Sequence, residues 1–421
     1  MSMHTARISR RRFLQATGAL TAGAVLPSVL FARTGGEGRL VVVILRGALD
    51  GLAAAPPHGD PDYARLHREL AIAPPGSADG ALGLDATFGL HPGLPFLHER
   101  YAADELIVFH AVASPYRDRS HFDGQNVLEN GYRLPLGSAD GWLNRAIGAL
   151  RTSPAAAGVS AGIGVGAPER AVAIAQNVPL ILRGDAPVLS KSPMAAPDMD
   201  EELIARLQDL YSKDDWLSAR LSEALQSEHV GDASNDAQAS APMMTSGQGA
   251  DRTTAAARMA AAVMRIEGGP EVAVLEATGW DTHANQGGAK GALAQRLHGL
   301  DAALRALGSD LGPLWSRTAV LVVTEFGRTA AMNGTRGTDH GTAGCAFLVG
   351  GAVRGGRVIA DWPGLGAASL LDDRDLKPTL DLRSVFKAVL GEHLRIDAKT
   401  LATRVFPDST QARTLEGLIR A

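Results

Sequence analysis

AVLVVTEFGRTAAMNGTRGTDHG, Ala319–Gly341, opens as a strand and ends as a cluster of charge. Ala319–Val323 is an unbroken run of alanine, valine and leucine, the pattern of a strand covered on both faces. The carboxyl end of such a strand opens at the edge of a sheet, where open α/β proteins place their ligands. Here that end carries Glu325, Arg328, Arg336, Asp339 and His340 among glycines. Acids crowded in one pocket repel one another, and a divalent cation removes that cost.

Similar runs recur along the chain. RLVVVILRGALDG (Arg39–Gly51) reads as a strand that breaks at Gly47 and Gly51, with Asp50 in the turn. ELIVFHAVA (Glu105–Ala113) is a second, followed by the polar turn SPYRDRSHFDGQ (Ser114–Gln125) and a helix through FDGQNVLENG. A short strand lies near the end of Gly164–Gly184, and EVAVLEATGWDTHANQ (Glu271–Gln286) supplies another. A helix through LAQRLHGLDAALRALGSDLGPLW and a last strand, AFLVGG, complete the series. Strand alternating with helix predicts an α/β fold, a mostly parallel sheet flanked by helices on both faces. From about 190 to 260 the pattern changes to amphipathic helix followed by the small, polar SNDAQASAPMMTSGQGAD. This stretch reads as a helical and mobile insertion, of a composition suited to a lid. No internal repeat is visible.

In a parallel sheet the carboxyl ends share one edge, so Asp50, Ser120 with His121, Asp281 with His283, and Glu325 with Asp339 and His340 can converge. Carboxylates and imidazoles without thiolates suit zinc, manganese, magnesium, iron or calcium. Each residue also has a plainer role open to it. Asp50 before Gly51 can close an Asx turn. Ser120 can cap the helix that follows, a place that also exposes it to a field favouring anions. Asp281 and His283 can form an outer hydrogen-bonded pair. Glu325 can pair with Arg328, and Arg119 or Arg336 can be solvated surface. Asp339 and His340 between Gly337 and Gly341 fit a plain role least, because glycine permits close approach to a ligand and an acid orients an imidazole. His91 and His98 read as loop and surface residues, His110 as a core residue, Trp142 and Trp280 as packing, and Cys345 as a small buried apolar group.

The 421 residues can bury a large core as one domain or two. Glycine, 48 of them, exceeds its usual share of about 7% and favours tight turns. A net charge of −4 gives no basic excess to hold nucleic acid, and a single cysteine excludes an internal disulfide or a cysteine-rich zinc site. The amino terminus, SRRRFLQATGALTAGAVLPSVLFA (Ser9–Ala32), places paired arginines before a moderately apolar segment interrupted by Gly18, Gly23 and Pro27. It resembles a twin-arginine export signal, with Arg10 and Arg11 as the pair, and is too short and broken for an integral membrane domain. Residues 1–32 are therefore expected to form a signal segment, with the α/β domain over 38–421 and a periplasmic or secreted location. Loss of 1–32 removes four arginines and no acid, leaving a net charge of −8.

LRGALDG, SHFDGQ, GWDTHANQ, VVTEFGRT, GTDHG and DWPGL stand in that order over nearly the whole chain after the leader. Together they resemble the bacterial exported family catalogued as domain of unknown function 1501. Behind it lies a weaker resemblance to the alkaline phosphatase and sulfatase superfamily. Those enzymes place a metal-binding Asp after the first strand, a nucleophile at a helix start, and later Asp and His ligands. Asp50, Ser120, Asp281 with His283, Glu325 and His340 stand in that order, with Asp339 the residue that could substitute for a missing imidazole ligand. Glu325-Phe326 replaces the Asp-His pair of the superfamily, which leaves both a one-metal and a two-zinc centre open.

The resemblance implies an alkaline-phosphatase-like sheet and an exported hydrolase of phosphate or sulfate esters dependent on a divalent ion such as zinc, manganese or calcium. It implies Ser120 as nucleophile, His121 as proton relay, and Arg119 or Arg328 as a clamp on the ester oxygens. The partners it implies are a small-molecule or cell-envelope ester, and the twin-arginine translocase during export. Two other readings stand beside it. One is a degenerate member that binds a glycan, lipid headgroup or partner protein; the other is a carboxylesterase, although no GxSxG elbow surrounds Ser120.

Overall fold

The computed structural model describes residues 38–152, 169–193 and 248–420. The expected signal segment and residues 194–247 of the expected insertion lie outside the described residues. Nine strands form the main sheet: β1 (Arg39–Arg46), β2 (Leu106–Ala113), β3 (Ala171–Ile174), β4 (Leu189–Lys191), β5 (Val272–Thr278), β6 (Thr318–Thr324), β7 (Gly344–Val349), β8 (Arg357–Ile359) and β9 (Leu380–Asp381). Their order is β8-β2-β7-β6-β1-β5-β3-β4, with β9 following β8 along the outer edge of β2. β1 sits centrally and pairs in parallel with β5 and β6, placing Val42 opposite Val274 and Leu321.

The continuous apolar runs have the cause expected for strands covered on both faces. Val41, Val43 and Leu45 of β1 point into one core, and Leu40, Val42 and Ile44 into the other. All six are buried, each burial contributing about 1.5–3 kcal/mol, so none of these six positions favours a polar residue, and the arginines of β1 stand at its two ends. The first core is covered by α1 (Pro95–Ala102), α4 (Gln248–Arg265) and α5 (Ala292–Leu311). The second is covered by α3 (Trp142–Thr152) and α6 (Leu382–His393), while α2 (His121–Asn130) lies at the edge of the sheet. Leu293, Leu297, Leu300, Leu304, Leu307 and Leu311 put one apolar stripe on α5, which stops at Gly312 with φ 56°. The end of the 190–260 stretch is core: Ala256, Ala257, Ala260, Ala261 and Met264 of α4 pack beneath the sheet. At its start, Leu189–Lys191 forms edge strand β4.

One strand departs from the parallel arrangement. β7 runs antiparallel to both β6 and β2. Its amino end therefore lies at the edge where β1, β2, β5 and β6 finish, and GTDHG, just before it, is delivered to that edge. A parallel β7 would have left Asp339 and His340 at the opposite side. The fold is thus α/β with a mixed, mostly parallel sheet flanked by helices. Among the described residues, no helix is long and apolar enough to cross a membrane.

Candidate metal centre

Three imidazoles and a carboxylate meet at this edge. His121 opens α2, Asp281 and His283 follow β5, and His340 precedes β7. The side-chain donor atoms of His121, Asp281 and His340 all lie within 4.8 Å of one another. Asp281 Oδ1 stands 3.0 Å from His283 Nε2 and 3.2 Å from His340 Nε2, and Oδ2 is 3.4 Å from His121 Nε2. The Nε2 atoms of His283 and His340 are 3.0 Å apart.

Each ring is turned the same way by an acceptor at its other nitrogen. His121 Nδ1 donates to Glu325 Oε1 at 2.8 Å, His283 Nδ1 to Asp339 Oδ1 at 3.3 Å, and His340 Nδ1 to the carbonyl of Arg119 at 2.9 Å. A proton held at Nδ1 leaves the Nε2 lone pair facing the cluster, the device that orients histidine ligands around metals. His121 Nε2 is enclosed and makes no hydrogen bond. Its ring stacks on Phe326 and meets the His340 ring edge-on, which holds its plane.

Charge is arranged to suit a cation. Burial pushes Asp281 up, but Arg328 and the neighbouring histidines outweigh it and hold the carboxylate below its ordinary value. Burial likewise pushes Glu325 up, and hydrogen bonds from His121, Gly47 and Thr324 bring it below the usual carboxylate range. Glu325 in turn raises His121, whereas burial lowers His340 and favours its neutral form. The hydrogen bond from Asn333 lowers Asp339.

Not every expected site residue faces the cluster. Glu325 is fully buried and its Oε1 is occupied by Gly47 N, His121 Nδ1 and Gln125 Nε2, so it backs a ring instead of pointing at the Nε2 atoms. Asp339 stands at the outer nitrogen of His283 and also accepts from Asn333. Asp50 is buried apart from the histidines. Its Oδ1 caps the turn Gly51–Ala54 through Leu52 N and Ala53 N, and its Oδ2 accepts from Gln286 at 2.7 Å and faces His67 Nε2 at 3.3 Å. This is a capping use of the Asp-Gly pair. Arg328, also buried, grips Asp281 and the backbone and hydroxyl of Thr338. Arg119 adopts φ 61° and is held by Asp375 at 2.8 Å and Asp372 at 3.1 Å. Ser120 occupies the N-cap of α2 without a side-chain capping bond, at the positive end of the helix.

The glycines of GTRGTDHG serve backbone packing. A Cβ at Gly337 would lie 2.4 Å from the carbonyl of His283, and one at Gly341 would lie 2.3 Å from the carbonyl of Arg328. The expectation that they admit a ligand gives way to a closer approach between ligand-bearing loops. Residues not singled out from sequence include Gln125, Gln286, Thr282, Thr338, Asn333 and Asp375. Two of them close quoted motifs, Gln125 in SHFDGQ and Gln286 in GWDTHANQ, and a glutamine beside acids and histidines is the signal that could have marked them. His67, reaching Asp50 from a distant turn, had no such signal.

A family model described as "Protein of unknown function (DUF1501)" matches residues 110–405. No curated protein matches the chain. Among solved structures, one titled "Crystal structure of Ps i-CgsB in complex with k-i-k-neocarrahexaose" aligns with a TM-score of 0.39 and 9% identity, covering 90% of this chain and 77% of that one. The family match takes in the end of β2, α2, both ligand loops of the cluster and β7, and by it the chain belongs to the DUF1501 family of proteins of unknown function.

Proposed function

We propose that the chain is an exported, metal-dependent hydrolase of phosphate or sulfate esters. The observation that carries the metal is the convergence of three Nε2 atoms on Asp281, each ring having its Nδ1 tied to an acceptor. Imidazole-rich sets favour zinc, or manganese and iron, over calcium, which takes oxygen ligands. One ion is the simplest occupant, with His121, Asp281 and His340 as its donors and His283 beside Asp281 and His340. The ester chemistry rests on a motif order that resembles, with Glu325-Phe326 in place of Asp-His, that of alkaline phosphatases and sulfatases, and export rests on the resemblance of the leader to a twin-arginine signal.

A bound ion would supply Lewis acidity and lower the pKa of a nearby hydroxyl or water. The protein's own groups do the rest. Glu325, Asp339 and the Arg119 carbonyl keep the imidazoles in the metal-binding tautomer, and Arg328 fixes Asp281. Ser120 presents its hydroxyl at the start of α2, where the helix field favours an anion. Its oxygen would form a bond to phosphorus or sulfur as the ester oxygen leaves with the serine proton. Water would then cleave that bond, restoring serine and releasing the acid. Arg328 is enclosed and Arg119 is engaged by two acids, so the start of α2 takes over the clamping of substrate oxygens expected of these arginines.

The test is elemental analysis of the purified protein beside Asp281→Asn and His340→Ala, followed by phosphate and sulfate ester assays beside Ser120→Ala. Near-stoichiometric zinc or manganese lost in the first two variants, with ester hydrolysis lost in the third, is the expected result. No bound metal after incubation with zinc, manganese and calcium overturns the metal mechanism. Bound metal without hydrolysis of either ester class leaves a binding protein for a glycan, lipid headgroup or partner.

A further inference from the structure

A buried amide ties the two ligand-bearing loops together. Gln286 is fully enclosed, and its Oε1 accepts from the hydroxyls of Thr282 at 2.7 Å and Thr338 at 2.9 Å. Thr282 lies between Asp281 and His283, and Thr338 immediately precedes Asp339 and His340. One oxygen therefore sets the separation of the loop after β5 from the loop before β7. The orientation of the amide is itself imposed: its Nε2 donates to Asp50 Oδ2 at 2.7 Å. A flipped amide would put its oxygen against that carboxylate and its NH2 against two hydroxyls. Thr338 Oγ1, having given its hydrogen to Gln286, accepts from Arg328 Nε at 3.2 Å, and Arg328 holds Asp281.

We propose that Gln286 is a positioning residue for the metal centre, oriented by Asp50 and acting through the hydroxyls of Thr282 and Thr338. Asp50 thus influences the ion without touching it. Its four neighbours leave its carboxylate no free direction: two backbone amides of the turn Gly51–Ala54, the Gln286 amide and His67. Asp50, Thr282, Gln286 and Thr338 are all buried, so water cannot substitute for a lost hydroxyl without a cavity being opened. Outer hydrogen bonds of this kind commonly change metal affinity by about 10–100-fold.

This inference rests on the metal reading of the cluster, and its test keeps the two apart. Cobalt(II) is titrated into the full chain, stripped of metal, while visible absorption is followed for the parent, Thr338→Val and Thr338→Ser. The expected result is cobalt binding weakened about tenfold or more with an altered spectrum in the valine variant, and parental behaviour in the serine variant, which keeps the hydroxyl. Thr282→Val and Thr282→Ser, which alter a single hydrogen bond, serve as a second pair if Thr338→Val does not fold. Equal cobalt affinity and spectrum in parent and valine variants, or a serine variant as weak as the valine one, overturns the proposal. If the parent binds no cobalt, the metal reading fails. The positioning claim is then judged from the imidazole nitrogen shifts of His283 and His340 by NMR, which must move with valine and return with serine.

Discussion

Glu325→Gln separates an orienting carboxylate from a metal ligand. In the parent, Glu325 Oε1 accepts from Gly47 N at 2.9 Å, His121 Nδ1 at 2.8 Å and Gln125 Nε2 at 3.2 Å, while Oε2 accepts from Thr324 Oγ1 at 2.8 Å. Glutamine has the same shape and can keep its oxygen toward the first three donors. Its NH2 then meets Thr324, whose hydroxyl has an alternative acceptor in the Leu45 carbonyl at 2.8 Å. The fold therefore survives, and the main loss is the negative charge behind His121. A hydrogen bond to a charged group contributes about 1.5–3 kcal/mol against about 0.5–1.5 for a neutral one. The difference, about 1–2 kcal/mol, corresponds to about 5- to 30-fold in zinc affinity if His121 is a ligand. Zinc competition against a chromophoric chelator measures it, with thermal unfolding of the metal-free protein as the control for folding. Affinity within twofold of the parent, while His121→Ala binds weakly, would show that the carboxylate does not orient the ring. A loss far beyond 100-fold would make Glu325 a direct ligand, as the sequence first suggested.

His110 is buried, with Nε2 donating to the Ala55 carbonyl at 3.0 Å and Nδ1 accepting from Ala111 N at 2.8 Å, so protonation would set two donors face to face. Burial pushes its pKa down from 6.5 to about 4. A lowered folded value means its stabilisation is complete above pH 6.5 and is lost as pH falls toward 4, about 3 kcal/mol in all. Urea unfolding should show this slope in the parent and not in His110→Gln, which keeps the donor to Ala55; identical slopes would discount the residue. Gly341→Ala should cost about 1–3 kcal/mol and strip the metal, because its Cβ, next to His340, meets at 2.3 Å the carbonyl of Arg328, the residue that holds Asp281. Gly334→Ala, which meets nothing within 4 Å, is the matched control in thermal melts and metal analysis. Asp50→Asn should retain stoichiometric zinc at saturating concentration, whereas His340→Ala should not. Equal loss in both by elemental analysis would return Asp50 to the ligand shell.

Much of this molecule follows from local pattern. Val41–Leu45 and Ala319–Val323 have no polar alternation because both faces of their strands are covered, and that condition is written in composition. The leucine stripe of α5 has one helical face to bury, so its period is local too. The clustering of Asp281, His283, Asp339 and His340 at strand ends follows from the geometry of a sheet. What each charged group faces does not. The antiparallel course of β7, which brings His340 to the other histidines, depends on its pairing with β6 on one side and with the sequence-distant β2 on the other. Asp50 caps a turn and meets His67, Glu325 backs His121, and Arg328 closes on Asp281, although each had looked equally able to meet a ligand. A carboxylate has the same formula whether its partner is an ion, an imidazole or a backbone amide. Residue type and spacing settle that such groups gather at one edge, whereas distances of about 3 Å between distant segments, set only when the whole sheet has packed, decide which of them are left to hold a metal.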